Sequence, residues 1–211
     1  MKRKETDRVK TLQEYIQHKS SQSHFSELFE LLAPSLCGYA RQYVTPEEAE
    51  ETVYTIFTRL WKNRATILEI NNLKVYLYKS VRFEVGKINQ RKKGSYVTID
   101  ETLEVNFLAS SPDSPYTKLL EHELKTILDE AIEGLPPQCK AAFKLVKEEG
   151  LKYKEAAEAL GISKNTVENH LVKALKALKK ALRDYEKGQK GSHNRFKTAC
   201  LHFFCFFFRV G

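Results

Sequence analysis

The sequence predicts an all-α protein, two small helical domains joined by a flexible acidic linker, with a helix-turn-helix in the second. Three observations carry that reading. Only 6 Pro and 9 Gly interrupt 211 residues whose long stretches are rich in Ala, Leu, Lys and Glu, side chains that lose little freedom in a helix. Apolar residues recur at three- and four-residue spacing in segment after segment. A stretch from Gly94 onward breaks that period and divides the chain into two blocks. A hydrophobic content of 42% suffices for ordinary cores, whether the chain forms one domain or two.

The first domain is expected over residues 1–93. Its start, "MKRKETDRVKTLQEYIQ", has no apolar signal-peptide core, so the chain is expected in the cytoplasm and its four cysteines as free thiols. The residues before Phe25 are polar and are compatible with a looser leading helix. In "HFSELFELLAPSL", Phe25, Leu28, Phe29 and Leu32 fall on one helical face. "VTPEEAEETVYTIFTRLWKNR" then carries its own start signal: Thr45 as N-cap, Pro46 at the first helical position and Glu48 closing a capping box. Ala49, Val53, Ile56, Phe57 and Leu60 form its buried stripe, which leaves Glu51, Tyr54, Thr55, Thr58 and Lys62 outside.

A third helix is expected over residues 72–93, "NLKVYLYKSVRFEVGKINQRKK", with Leu77, Val81, Val85 and Ile88 inward. Tyr76, Lys79, Phe83, Gly86, Lys87 and Gln90 share the other side. Cations interleaved with aromatics suit single-stranded nucleic acid, the cation for a phosphate and the ring for an unstacked base. The plainer alternative is a solvated basic face whose two aromatics are buried by a neighbouring helix.

Residues 94–115 are expected to be the linker. From Gly94 to Thr117 the chain has Asp100, Glu101, Glu104 and Asp113 but no Lys or Arg, and it ends in Ser and Pro punctuation. Without regular structure, a connection longer than about 15 residues is usually functional or disordered.

The second domain is expected over residues 116–187. Ser114 and Pro115 can open a helix whose stripe is Leu120, Leu124, Ile127, Leu128 and Ala131; a Gly-Leu-Pro-Pro break and a short helix around Ala142, Phe143 and Val146 follow, stopped at Gly150. In "YKEAAEALGISKNTVENHLVKAL", counting from Tyr153, a small residue stands at place five (Ala157), Gly at place nine (Gly161) and Val at place fifteen (Val167). A helix-turn-helix needs these types there: the small residue admits close helix approach, Gly takes the left-handed turn and Val fills the angle. Ala156, Leu160, Ile162, Leu171 and Ala174 complete its interior. Ser163 is placed to cap the second helix, and Lys164, Asn165, Glu168, Asn169, Lys173 and Lys176 face out. Asn can pair with adenine, Glu with cytosine, and Lys with guanine or a phosphate. The net charge of +8 also favours a polyanionic partner.

The order of these parts resembles the sigma factors of bacterial RNA polymerase, specifically the small two-domain extracytoplasmic-function (group 4) type of the sigma-70 family. "HFSELFELLAPSLCGYARQYV" and "EEAEETVYTIFTRLWKNR" look like the opening and the clamp-binding helix of its region 2, and "VYLYKSVRFEVGKINQRKK" looks like its promoter-melting helix. "LPPQCKAAFKLVKEEGLKYKEAAEALGISKNTVENHLVKALKALKKAL" looks like region 4, and "SPDSPYTKLLEHEL" like one subgroup of the family; the resemblance covers residues 20 to 183.

The resemblance implies a protein that is not an enzyme but directs one, with RNA polymerase core and promoter DNA as partners and a membrane-tethered anti-sigma factor as regulator. It implies that Glu51, Tyr54, Thr55 and Thr58 meet the clamp helices of the largest polymerase subunit. Tyr76, Lys79, Arg82, Phe83, Lys87, Gln90 and Arg91 would hold the melted minus-10 strand, with one base flipped into a neighbouring pocket. Region 4 would lie on the polymerase flap and read the minus-35 duplex through Ser163, Lys164, Asn165, Thr166, Glu168, Asn169 and Lys173. The acidic linker would thread the polymerase cleft. The chain departs from the family pattern at Tyr54 and Thr55, where Gln-Glu is usual, and at Phe83 and Lys87, where Asn and Asp are common.

Two readings from other classes stand beside this one. "TVENH" also resembles the DNA-binding end of response regulators, which would make the chain a free-standing transcriptional regulator; the front half, however, has no phosphoacceptor pattern. A helical anti-sigma-like module that binds only proteins would not need the outward Asn, Glu and Lys set. No Gly-rich phosphate loop, metal spacing or nucleophile constellation suggests an enzyme, a cofactor or a small-molecule substrate. Residues 188–211 form a basic then hydrophobic tail of open role, its apolar run Ala199 to Phe208 about half the length of a membrane span. Cys200, His202 and Cys205 crowd among phenylalanines without a fourth ligand, so no zinc is expected there. Cys37 and Cys139 fall within helical patterns and read as core thiols.

Overall fold

A computed structural model describes residues 2–19, 22–92 and 115–188. In chain order these form α1 (Lys2–Lys19), α2 (Gln22–Ala40), α3 (Pro46–Lys62), a 3-10 helix (Arg64–Glu69), α4 (Leu73–Lys92), α5 (Pro115–Glu133), α6 (Pro137–Phe143) running into a π-helical turn (Lys144–Glu148), α7 (Tyr153–Leu160) and α8 (Lys164–Gly188). The all-α class expected from the sequence is therefore what the described residues adopt. All of the expected linker but Pro115, and all of the tail but Gly188, lie outside the described residues. Two compact units result, one holding α1 to α4 with residues 154–163, the other holding α5, α6 and α8.

In the first unit, α3 forms where its start signal lies. The Glu48 amide donates to Thr45 Oγ1 at 3.4 Å and the Thr45 amide donates to Glu48 Oε2 at 3.1 Å, so two otherwise orphaned N–H groups are met reciprocally. Ala49, Val53, Ile56, Phe57 and Leu60 are all buried. They face α2, whose Leu28 and Leu32 are buried, while Phe25 and Phe29 are half-buried and set their rings edge-on to Phe57 at 5.9 and 4.9 Å. Asn72 Oδ1 accepts from the Val75 amide at 3.2 Å and so caps α4. Leu77, Val81 and Val85 are buried as expected, Ile88 only in part, and Leu73, Val75 and Tyr78 join the core.

The leading segment differs from expectation. Instead of a loose helix, α1 is a regular 18-residue one with Val9, Leu12 and Ile16 buried. The stripe is sparse, and the buried Gln13 beside it counts against a core face in any reading by periodicity. Gln13 can be buried because the carbonyls of Ile67 in the 3-10 helix and of Ile70 just after it accept from its amide, contacts 54 and 57 residues away in sequence.

In the second unit, Leu124, Leu128 and Ile132 of α5 are buried, with Ile132 taking the place expected of Ala131. The short helix after the Pro-Pro break is α6 with its π-helical turn, where the Glu149 amide reaches back to the Lys144 carbonyl at 3.0 Å. That wider turn lets Leu145 and Val146 both be buried, alongside Cys139, Ala142 and Phe143. α8 packs on α5 and α6 through Val167, Leu171, Ala174 and Leu178. Cys139 is a buried free thiol and Cys37 a half-buried one.

Candidate nucleic-acid interface

The turn between α7 and α8 is built as its residue types require. Gly161 has φ +64°, the left-handed region where a side chain is strained, and the Ile162 amide donates to the Ala157 carbonyl at 3.1 Å to close α7. Ala157 and Val167 are buried at the places counted from Tyr153, and α8 starts directly after Ser163. Because Val167, Leu171 and Ala174 fix the inward side, Ser163, Lys164, Asn165, Asn169, Lys173 and Lys176 are exposed, with Thr166 and Glu168 partly so. Lys164 and Glu168 lie 3.3 Å apart one turn from each other. An exposed pair of that kind contributes little, so either partner can exchange it for a phosphate or a base edge. The N-terminal turn of α8 adds backbone N–H groups and the positive end of a helix dipole.

His170 is the exception on this helix. Its Nδ1 lies 3.0 Å from the buried Cys139 Sγ, and desolvation, then the nearby Lys173 charge, holds its pKa below the ordinary imidazole value. The ring therefore stays neutral at neutral pH and brings no charge to the outward set.

On α4, Tyr76 is 43% and Phe83 63% exposed, so among the described residues no neighbouring helix buries the two aromatics. Arg82, Gln90 and Arg91 are exposed beside them, and Lys79 and Lys87 partly so. The Lys87 ammonium stands 4.3 Å from the centre of the Phe83 ring and 3.3 Å from Glu84 Oε1. Arg59 of α3 holds the same carboxylate at 2.6 Å. The Arg59 hydrogen bond keeps the Glu84 carboxyl below its ordinary range against the opposing effect of burial, with Lys87 assisting. Phe83 and Lys87 are thus presented as a fixed pair. Within the same unit Lys79 pairs with Glu158 at 2.7 Å and Arg82 Nη1 donates to the Leu160 carbonyl at 3.3 Å. Both contacts are solvent-exposed and cheap to exchange.

On the outer side of α3, Tyr54 is 61% exposed with its ring 5.3 Å from Phe29. Glu51 and Thr58 are exposed and Thr55 is half-buried.

Residues 125–178, from α5 into α8 and including every position from Ser163 to Lys173, match the family described as Sigma-70, region 4. That stretch carries the pattern of a sigma-70 region 4. Its fold is similar to that of the sigma factor RpoE from Bartonella quintana, solved in complex with the anti-sigma factor NepR. The TM-score is 0.52 at 18% identity, over 75% of this chain and 96% of that one. It is also similar to CnrH, solved in complex with the cytosolic domain of CnrY, with a TM-score of 0.49 and 15% identity over 84% of this chain and 99% of that one. No curated protein sequence matches the chain.

Several groups around the candidate face were not legible in the sequence. The Arg59–Glu84–Lys87 cluster joins two helices that are each readable alone, but no spacing rule relates residue 59 to residue 84. The 3-10 helix between α3 and α4 has too few residues to show a period, and Gln13 and Gln17, which hold it, look like surface positions of a polar segment. Among the described residues no group of three or more His, Cys, Asp or Glu could hold a metal ion, and no helix is long and apolar enough to cross a membrane. Cys200, His202 and Cys205 lie outside the described residues.

Proposed function

We propose that this chain is an extracytoplasmic-function sigma factor that binds RNA polymerase core and directs promoter-specific initiation in the cytoplasm. The observation that carries the proposal is the region 4 match together with what lies inside it: a helix start that turns Asn165, Glu168 and Asn169 outward between lysines. That set fits base-edge readout in a major groove, with lysines for the flanking phosphates. In this reading residues 116–187 form the minus-35 domain, with Ser163, Lys164, Asn165, Thr166, Glu168, Asn169 and Lys173 on the DNA. Residues 1–93 form the domain that docks on the polymerase clamp through Glu51, Tyr54, Thr55 and Thr58. Its exposed aromatics Tyr76 and Phe83, with Lys79, Arg82, Lys87, Gln90 and Arg91, take the melted minus-10 strand. The linker at 94–115 passes through the polymerase cleft.

The catalysis belongs to the polymerase in this scheme, and the chain supplies recognition. A regulator fits as well: RpoE was solved with an anti-sigma factor bound, and we extend that class of partner, membrane-tethered as the family resemblance implies, to this chain. The test is to mix the full chain with bacterial core polymerase and measure complex formation and run-off transcription from promoters upstream of its own gene. A stable complex and promoter-dependent transcripts are expected. Absence of a stable complex with core overturns the proposal, and tight duplex binding without polymerase would favour the free-standing regulator.

A further inference from the structure

α1 packs on the 3-10 helix Arg64–Glu69 and adds side-chain hydrogen bonds to carbonyls of that segment, of which Ile67 also accepts from the Ile70 amide at 3.3 Å. Gln13, only 4% exposed, donates from Nε2 to the carbonyls of Ile67 at 3.0 Å and Ile70 at 3.3 Å. One turn on, Gln17 donates to the Ala65 carbonyl at 2.6 Å. Burying an amide costs dehydration that an apolar side chain would avoid, and Leu12 and Ile16 already provide apolar contact beside it. What the amides add is direction: three carbonyls along one short segment are aimed at two fixed donors. The segment leads straight into α4. Two residues past Ile70, the Asn72 side chain caps the helix at the Val75 amide, and the Asn72 carbonyl accepts from the amide of Tyr76, the first exposed aromatic of the candidate strand face.

We propose that Gln13 and Gln17 are positioning residues for the strand-binding face of α4, fixing the backbone of residues 65–70 and, through the Asn72 cap, the start of α4 and the placement of Tyr76. The proposal rests on the reading of that face as the minus-10 site. Neither glutamine touches DNA; both act through the segment they hold.

The test compares full-length wild type, Gln13→Met and Gln17→Met. Met keeps the length and bulk of Gln and removes its donors. Gln17 is half-buried, so its variant leaves the core intact even if Gln13→Met folds poorly. Each chain is assayed for core affinity, for minus-35 duplex binding, and for open-complex yield on a promoter and on the same promoter with minus-10 bases exchanged. Because small misplacements of a recognition group are costly, Gln13→Met should lower open-complex yield by about tenfold and Gln17→Met by roughly threefold, with a reduced preference for the native minus-10 bases. Core affinity and minus-35 binding should stay within about twofold. If yield falls only in step with core affinity or folded fraction, or minus-10 preference is unchanged in both variants, the glutamines are structural and the proposal is overturned. If wild type itself binds core but melts no promoter, the minus-10 reading has failed and the positioning role falls with it; the wild-type measurement alone separates the two failures.

Discussion

Replacing Phe83 with alanine separates a binding role from a packing role, because the two predict different magnitudes. The ring is 63% exposed, so truncation forfeits about a third of the roughly 1.5–3 kcal/mol that full burial of such a side chain is worth, or about 0.5–1 kcal/mol. Losing the contact with the Lys87 ammonium adds about 0.5–1 kcal/mol, partly offset by the better helix propensity of alanine, about 0.5 kcal/mol. The net stability cost is therefore close to 1 kcal/mol and the protein stays folded. A nucleobase stacked on the ring is worth about 1–3 kcal/mol, so affinity for a single-stranded minus-10 oligonucleotide should fall by roughly 5- to 150-fold. The assay is fluorescence anisotropy with the core-bound full chain, paired with thermal unfolding of the free chain. Leu77→Ala is the control: fully buried on the same helix, it should cost about 2–5 kcal/mol of stability. The salt dependence of binding should not change in Phe83→Ala, since no phosphate contact is lost. Affinity within about twofold of wild type, or a loss of stability matching Leu77→Ala, would refute the reasoning.

Other expectations concern α8 and the acid side of stability. Asn165→Ala or Asn169→Ala should change minus-35 base preference, costing about 1–3 kcal/mol at the base each reads, whereas Lys176→Ala should weaken all sequences evenly and reduce the salt slope by about 1. Competition binding to a minus-35 duplex library checks this, and equal weakening by all three would show that the base readers are misassigned. Glu84 has a folded pKa below its ordinary value of 4.5, chiefly through Arg59. Its contribution to stability is therefore complete above that value and is lost as pH falls through the lower folded one. Urea unfolding from about pH 6 down to about pH 3 should show a shallower acid-side loss in Glu84→Gln than in wild type. An unchanged slope would mean that the Arg59 contact contributes nothing.

How far each element could be read depended on how local its cause is. The α3 capping box lies within four consecutive residues, and its hydrogen bonds form as read. The Ala157, Gly161 and Val167 spacing likewise needs only the chain between those positions, and it was enough to place the turn and the outward residues of α8. Reading faltered where a distant partner decided the outcome. α1 looked loose because its buried glutamine makes sense only beside carbonyls more than fifty residues away. The stripe on α5 ends on Ile132 rather than Ala131, a choice made by what packs on the end of the helix. His170 shares the helix that carries the outward set, yet a buried thiol from α6 faces its ring.

By itself the sequence determined the all-helical class, the helix starts, the left-handed turn at Gly161 and the composition of each helix face, because periodicity, capping and φ preference act over a few residues. Only the tertiary structure decided which faces stay open. Tyr76 and Phe83 on α4 could have been core or surface, since an aromatic on a basic face is compatible with both. Their exposure follows from packing by the opposite side, where Leu77, Val81 and Val85 are covered and Arg59 of α3 reaches Glu84. The same holds for the segment that leads into α4, whose carbonyls are directed by side chains of a helix that the sequence hardly announced. Burial is a property of pairs of elements, and the pairing is fixed only once the chain has folded.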